Sequence, residues 1–264
     1  MVYAIETFGL SKEFVSFKRR YRLLSHPFQK ESPALVINDI TLKIRKGEIF
    51  CLIGPNGAGK TTLIKVLSCL ILPTKGSAEV AGYDILKDEE KVRNAIGLVT
   101  GDERSFYWRL TGRQNIEFFA ALYNLSPDTL HRRINELFDI LHIEEPDKRF
   151  QEYPSGIKQR LSIVRALLND PDILFIDELT KNLDPTSAKD LRKFIKETLV
   201  KKHGKTIIFS THLLYEVEGL ADRIGFMSKG RIVAEGELET LRKTMGNKGA
   251  AIEEVYDYFI NKKG

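Results

Sequence analysis

Nine residues, Gly54-Pro55-Asn56-Gly57-Ala58-Gly59-Lys60-Thr61-Thr62, constrain this chain more than any others. They match the phosphate-cradling pattern G-x-x-x-x-G-K-[ST], the P-loop or Walker A motif. Before them runs Glu48-Ile49-Phe50-Cys51-Leu52-Ile53, apolar and β-prone, of buried-strand length. After them Leu63, Ile64, Leu67, Leu70 and Ile71 fall on one face of a helix. Strand, glycine loop and helix argue against a plain turn that happens to carry a surface lysine. Glycines let backbone N–H groups turn inward onto phosphate oxygens. The helix start adds favourable partial charge. Lys60 supplies a full positive charge for the β- and γ-phosphates, and the Thr61 hydroxyl suits Mg²⁺.

The 264 residues allow one large domain or two small ones. At 42% hydrophobic and 29% charged, the composition is that of an ordinary globular protein. The net charge of +5 reads as surplus lysine on a solvated face, and no nucleic-acid partner is expected. Cys51 and Cys69 lie on the apolar strand and helix around the loop, so buried reduced thiols are expected in a cytoplasmic protein. The five histidines lack metal-ligand spacing. There is no signal peptide and no apolar run long enough to cross a bilayer. Work at a membrane would need a second chain.

The pattern is α/β. Strands are expected over 2–9, 35–45, 78–81, 96–100, 173–177, 206–210 and 223–227. Between the second and third of these falls the P-loop strand, and a break follows at Pro73–Gly76. Helices are expected over 86–94, 188–200 and 213–220, with residues 101–169 mostly helical. Ile116, Phe119, Ala120 and Tyr123 form one core stripe; Leu130, Ile134, Leu137 and Leu141 form another. A helix marked by Leu161, Val164, Leu167 and Leu168 starts after Pro154-Ser155-Gly156. Alternating strands and helices imply a parallel sheet. Residues 15–33, with Lys18, Arg19, Arg20 and Arg22, read as a basic insertion: a solvated loop, or a contact with a partner or lipid head groups.

A second set of residues completes the site. Ile173-Leu174-Phe175-Ile176 ends in Asp177-Glu178. A strand buried on both faces presents its C-terminal end to ligand. Asp177 there suits Mg²⁺, and Glu178 can polarise an attacking water. His212 follows the buried-type run Thr206-Ile207-Ile208-Phe209, again at the ligand edge.

Taken together, GPNGAGKTT (54–62), YPSGIKQR (153–160), ILFIDE (173–178), LTKNLDP (179–185) and STH (210–212) resemble the ATP-binding cassette (ABC) ATPases over nearly the whole chain. Gly230–Gly236 resembles their closing hairpin. The resemblance implies a P-loop NTPase fold with a parallel sheet core, an antiparallel β part at about 1–50 and 76–100, and a helical subdomain at about 101–169. A RecA-like core at about 48–75 and 170–235 and a tail at 236–264 complete this single domain. It implies two cassettes paired head to tail around two ATP molecules. The nucleotide would meet Gly54, Pro55, Asn56, Gly57, Ala58, Gly59, Lys60, Thr61 and Thr62 of one subunit and Ser155 and Gly156 of the other. Mg²⁺ would meet Thr61 and Asp177. Glu178 is the implied catalytic base and His212 the implied γ-phosphate sensor. Asp184 belongs to the loop that crosses the dimer interface. Phe14 resembles the aromatic that stacks on adenine, with Phe17 and Tyr21 as rivals.

Two positions depart from the family pattern. Thr100-Gly101-Asp102-Glu103 stands where a glutamine is usual, leaving Asp102 as the metal-side candidate. Pro154 stands where a serine usually contacts the γ-phosphate of the opposite site. The implied role is an ATPase subunit that drives a separate permease, in the manner of exporter-type cassettes, at the inner face of the cell membrane. A soluble non-transport ABC ATPase and a hydrolysis-poor partner in a heterodimer are the alternatives. Phe106, Tyr107 and Trp108 cannot all face one core direction on a helix: either two of them pack the helical subdomain, or the surface near Gly101–Arg109 docks the permease.

Overall fold

The computed structural model describes residues 3–14, 33–100, 105–123, 127–178, 180 and 183–261. In chain order come β1 (Tyr3–Phe14), β2 (Ala34–Arg45), β3 (Ile49–Ile53), α1 (Lys60–Leu67), β4 (Lys75–Val80) and β5 (Tyr83–Asp84). Next are α2 (Glu89–Ala95), β6 (Ile96–Thr100), α3 (Gly112–Ala120), α4 (Pro127–Ile140), α5 (Ser155–Leu167), β7 (Ile173–Asp177) and α6 (Pro185–Lys193). The chain ends with β8 (Thr206–Thr211), β9 (Arg223–Ser228), β10 (Arg231–Gly236), α7 (Leu238–Met245) and α8 (Ile252–Asn261). Backbone contacts divide it into two compact units.

The first unit comprises Met1–Arg45, Phe50–Val92 and Thr211–Gly264. It carries an antiparallel sheet in the order β2-β1-β4-β5. The β1–β2 register slips between Thr7 and Leu10. The fully buried Thr7 hydroxyl fills the slip, donating to the Ile40 carbonyl and accepting from the Leu42 N–H, both at 2.9 Å. Its two bonds satisfy backbone groups that the broken ladder leaves inside the core. Strand β3 runs parallel to β9, and β10 returns antiparallel along β9. All five residues of β3 are buried. Helix α8 covers β9, stacking Phe259 on Phe226 with centroids 5.7 Å apart.

The second unit comprises Lys46–Ile49 and Arg93–Ser210. Its strands β6, β7 and β8 are parallel, pairing Val99 with Ile176, Ile176 with Phe209 and Asp177 with Ser210. Helix α3 begins with a capping box: the Thr111 hydroxyl accepts from the Gln114 N–H while the Gln114 side chain accepts from the Thr111 N–H. This satisfies two first-turn donors reciprocally. Phe106 is buried, stacked on Phe150 at 4.5 Å and edge-on to Phe119 at 5.6 Å.

Several boundaries differ from the sequence expectation. Residues 96–100 belong to a parallel ladder with β7, not to the antiparallel part. Their apolar side chains suit a strand covered on both faces. Strand β1 continues past residue 9 to Phe14, because its ladder resumes with Lys12, Glu13 and Phe14 after the slip. Helix α1 stops at Leu67, before Leu70 and Ile71. Cys69 takes a left-handed φ of 56°, with Cys69 N–H bonding Val66 O at 3.1 Å and Leu70 N–H bonding Lys65 O at 2.9 Å. This is a Schellman ending with a cysteine where glycine is usual, and it leaves Leu70 exposed. The helix expected over 213–220 is a single 3-10 turn, Leu214–Glu216. The one over 188–200 begins earlier, as α6, and continues as a π-helix over Phe194–Lys202. Helices α7 and α8 fill what reads in sequence as a plain tail.

Candidate active site

The P-loop lies in the first unit. Buried β3 delivers the chain to Gly54, where a Cβ would sit 2.1 Å from the Met227 carbonyl oxygen. A side chain cannot exist there without moving β9. Pro55, Asn56 and Gly57 are exposed, while Ala58, Gly59 and Lys60 are buried. Gly59 is the N-cap of α1, with φ 105° and no side-chain cap. The first-turn donors of α1 therefore open toward the loop. Lys60 is buried and folds back over the loop; its Nζ donates to Gly54 O at 2.6 Å and Pro55 O at 3.1 Å. Thr61 is exposed and Thr62 half-buried at the head of α1.

Beneath the loop, the Cys51 thiol is pushed well up by burial; Glu216 adds to the rise and Lys60 opposes it. Cys51 is thus held as a neutral, inert thiol. His212, one residue beyond β8, is exposed. The Thr211 hydroxyl accepts from the Leu213 N–H at 2.9 Å and shapes the turn that carries it. Phe14 ends β1, exposed, with Lys12 Nζ 5.0 Å from its ring centroid. That cation already occupies one face of the ring. Phe17, Tyr21, Asp102, Lys181 and Asn182 lie outside the described residues, as does nearly all of the basic insertion.

The acidic pair lies in the second unit. Asp177 closes β7, and Glu178 follows in the left-handed region at φ 58°. A non-glycine residue holds that conformation only when its surroundings fix it. Ser210 does the fixing. Its hydroxyl donates to Asp177 Oδ1 at 2.5 Å. The Glu178 N–H in turn donates to both Ser210 Oγ and Ser210 O at 3.1 Å. One fully buried hydroxyl thus orients the metal-side carboxylate and the backbone of the candidate base together. Sequence reasoning gave Ser210 no role of its own. The signal was its place at the end of β8, in register with Asp177.

The signature segment is in the same unit. Tyr153 is buried, its hydroxyl donates to the Glu145 carbonyl, and its pKa is raised to about 12 by burial first and by the charges of Asp147 and Glu145 next. Pro154 is the N-cap of α5, and its carbonyl accepts from the Ile157 and Lys158 N–H groups at 3.1 Å. Ser155 and Gly156 form the first turn. A Cβ on Gly156 would lie 3.0 Å from Ser187 Oγ on α6. Asp184 caps α6, accepting from the Thr186 and Ser187 N–H groups at 3.0 Å. Hydrogen bonds from Ser187 above all hold its carboxyl below the ordinary carboxylate range. The cap is therefore fully made above the ordinary carboxylate pKa and is lost as pH falls through the lowered one.

Removing the Ser210 hydroxyl should release both acidic residues. We expect Ser210→Ala to cost about 1–3 kcal/mol of stability, the usual loss when buried polar partners go unsatisfied. Turnover should fall by more than the unfolded fraction explains. Denaturant melts beside phosphate-release rates at a temperature where both proteins are folded give the answer; unchanged turnover would show that Glu178 keeps its pose without Ser210.

Comparison with known proteins matches this arrangement to one family. The family model described as ABC transporter matches residues 37–181. The chain is 36% identical over 219 residues to the ABC transporter ATP-binding protein NatA of Bacillus subtilis (strain 168), covering 82% of this chain and 88% of that protein. It is 32% identical over 245 residues to the bacitracin transport ATP-binding protein BcrA of Bacillus licheniformis, covering 86% of this chain and 78% of that protein. A solved ATP-binding subunit of an ABC transporter superposes with a TM-score of 0.76 at 29% identity, over 97% of this chain and 99% of the other. The chain belongs to the ABC transporter family, as an ATP-binding, ATP-hydrolysing subunit.

Proposed function

We propose that this chain powers a separate membrane permease, as an exporter-type subunit working in a head-to-tail pair of cassettes at the inner face of the membrane. The observation that carries the reading is the cradle at the head of α1: a glycine loop, an uncapped helix start and the buried Lys60 ammonium. Lys60 and the loop N–H groups bind the phosphates. Glu178 takes the proton of the attacking water, and His212 holds the γ-phosphate. Ser155 and Gly156 meet the nucleotide of the opposite subunit, and Asp184 lies at the pair's interface.

Mg²⁺ fits the donors available. Thr61 offers a hydroxyl and Asp177 a carboxylate, both hard oxygen donors. Among the described residues no cluster of three or more His, Cys, Asp and Glu could form a protein cage for a metal. An ion held by Thr61 and Asp177 would neutralise charge on the transferred group. Asp102 remains the proposed third contributor. Phe14 is the proposed adenine platform.

No helix among the described residues is long and apolar enough to cross a membrane. The likeness to a bacitracin transport protein supports a cargo-moving role, and GPNGAGKTT and DELTKNLDP resemble exporter-type cassettes. The permease docks on Tyr107 and Trp108. Phe106 points into the core, while its two neighbours are 50% and 49% exposed. Fully buried Asn115 clamps their loop, accepting from Tyr107 N–H at 2.8 Å and donating to the Tyr107 and Thr111 carbonyls at 3.0 and 2.9 Å. Exposed aromatics on a rigid loop are what an interface anchor needs.

Three outcomes test this reading. Glu178→Gln keeps the side chain's shape and loses the base, so it should bind ATP yet trap an ATP-bound dimer, seen as a shift in size-exclusion chromatography with ATP and Mg²⁺. Normal turnover by that variant would assign the water to another residue. Replacing both Tyr107 and Trp108 by alanine should leave basal ATPase activity intact and abolish co-purification with the permease encoded beside it; retained co-purification removes the docking assignment. Pro154 lacks both the hydroxyl and the N–H that serine offers. A hydrogen bond to a charged group contributes about 1.5–3 kcal/mol. Pro154→Ser should therefore tighten ATP-driven pairing about 10- to 100-fold and speed turnover. No gain in either would mean that Ser155 already meets the phosphate.

A further inference from the structure

We propose that the β9–β10 turn, clasped to β2 by Asn38 and Arg231, sets the conformation of the P-loop, making Gly230, Asn38 and Arg231 positioning residues for nucleotide binding. The inference rests on the ATP-binding reading above and adds residues that lie outside every motif of the site. One peptide carries the link. The Gly230 N–H donates to the Ala58 carbonyl of the P-loop at 3.0 Å. The Gly230 carbonyl accepts from the Asn38 N–H of β2 at 2.9 Å. Three segments, 36–38, 54–59 and 227–230, therefore meet backbone to backbone. A side chain on Gly230 or Gly59 would collide with the facing strand. A Cβ on Gly230 would lie 2.6 Å from the Val36 carbonyl oxygen, and one on Gly59 would lie 2.6 Å from the same oxygen.

The geometry gives this contact a consequence for ligand. In a trans peptide the C=O and the following N–H point in opposite directions. The bond from Gly230 turns the Ala58 carbonyl toward the hairpin. It thereby aims the Gly59 N–H away from the hairpin, into the cradle where a phosphate must lie. Without the Gly230 donor this peptide is free to flip, and the loop would lose one inward N–H. The turn itself is held by a side-chain clasp. With its amide oxygen toward Arg231, Asn38 accepts a forked pair from Nε at 2.8 Å and Nη2 at 2.9 Å. The planar guanidinium fixes the turn in direction as well as distance. Lys229 and Gly230 both occupy the left-handed region, at φ 47° and 81°, a hairpin-turn geometry that glycine adopts freely and lysine only at a cost.

ATP affinity, measured by fluorescent-nucleotide titration beside thermal melting, tests the proposal with four variants of the full chain. Gly230→Ala forces the turn off Val36 and should weaken ATP binding about tenfold or more, as expected for one charged-group hydrogen bond. Asn38→Ala removes only the clasp from a half-buried surface position, so the protein stays folded; affinity should fall about threefold to tenfold, with KM rising and kcat nearly unchanged. Asn38→Asp keeps a forked acceptor for Arg231 and should hold affinity within about twofold of the parent. Gly82→Ala is the control: its φ of 81° matches that of Gly230, nothing lies within 4 Å of its Cβ position, and it sits in the β4–β5 turn away from the loop. It should lose stability without losing affinity. Parent-like affinity in Asn38→Ala, or an equal affinity loss in Gly82→Ala, overturns the proposal. A parent chain that binds no ATP is a different failure, that of the function reading itself.

Discussion

The cradle depends on backbone packed directly against backbone. A loop can hold phosphate with N–H groups only if its peptides face inward, and a free glycine loop has no reason to keep them so. Here the Gly54 α-carbon lies against the Met227 carbonyl, too close for any side chain. Strand β3 is fixed in turn by its parallel ladder to β9, which pairs Ile53 with Phe226. Two of the loop's glycines are therefore what permits a tight support, and they add more than turn freedom. The middle of the loop, Pro55 to Gly57, stays exposed.

The acidic half uses a different device. Strand ends in a parallel sheet point their last residues the same way, so Asp177 and Ser210 emerge side by side because β7 and β8 are in register. The Ser210 hydroxyl converts that register into side-chain orientation, serving as donor to Asp177 and acceptor for Glu178 at once. The left-handed turn at Glu178 costs free energy of about 1–3 kcal/mol. The two bonds from its N–H to Ser210 offset that cost where the pose is needed.

Local features were legible in the sequence and long-range ones were not. The P-loop and the Asp177-Glu178 strand end each depend on residues a few positions apart, so spacing alone locates them. The membership of residues 96–100 in a parallel ladder is set by distant β7, which no local pattern encodes. The early stop of α1 is a similar case. Leu70 and Ile71 continue the helical spacing, yet a left-handed Cys69 ends the helix, and cysteine carries no turn signal. Among Phe106, Tyr107 and Trp108, the sequence shows that one packing direction cannot serve all three. Which one turns inward is decided by Phe150 and Phe119, far along the chain. The positioning roles of Ser210 and Gly230 were hidden for the same reason, since each acts on a segment remote in sequence.

Among the described residues, helices α1 and α5 stand apart from the other six in having neither a side-chain cap nor an acidic residue in the first turn. Helices α3 and α6 satisfy their own first turns, with Thr111 and Asp184 as side-chain caps. Helices α1 and α5 begin at Gly59 and Pro154, with no side-chain cap and no acidic residue in the first turn. Helix α7 also lacks a side-chain cap but carries Glu239 in its first turn, a negative charge of its own. A side-chain cap spends first-turn donors on the protein itself, and a first-turn carboxylate repels an incoming anion. An uncapped start bears a standing cost in stability that an arriving phosphate removes. Seen this way, Pro154 does not simply impair the signature segment. It gives up a hydroxyl, yet it presets the backbone at the helix entrance and places no side-chain cap on the first turn. The two helices with neither a side-chain cap nor a first-turn carboxylate are those that the proposed mechanism sets against phosphate, α1 within its own subunit and α5 across the pair.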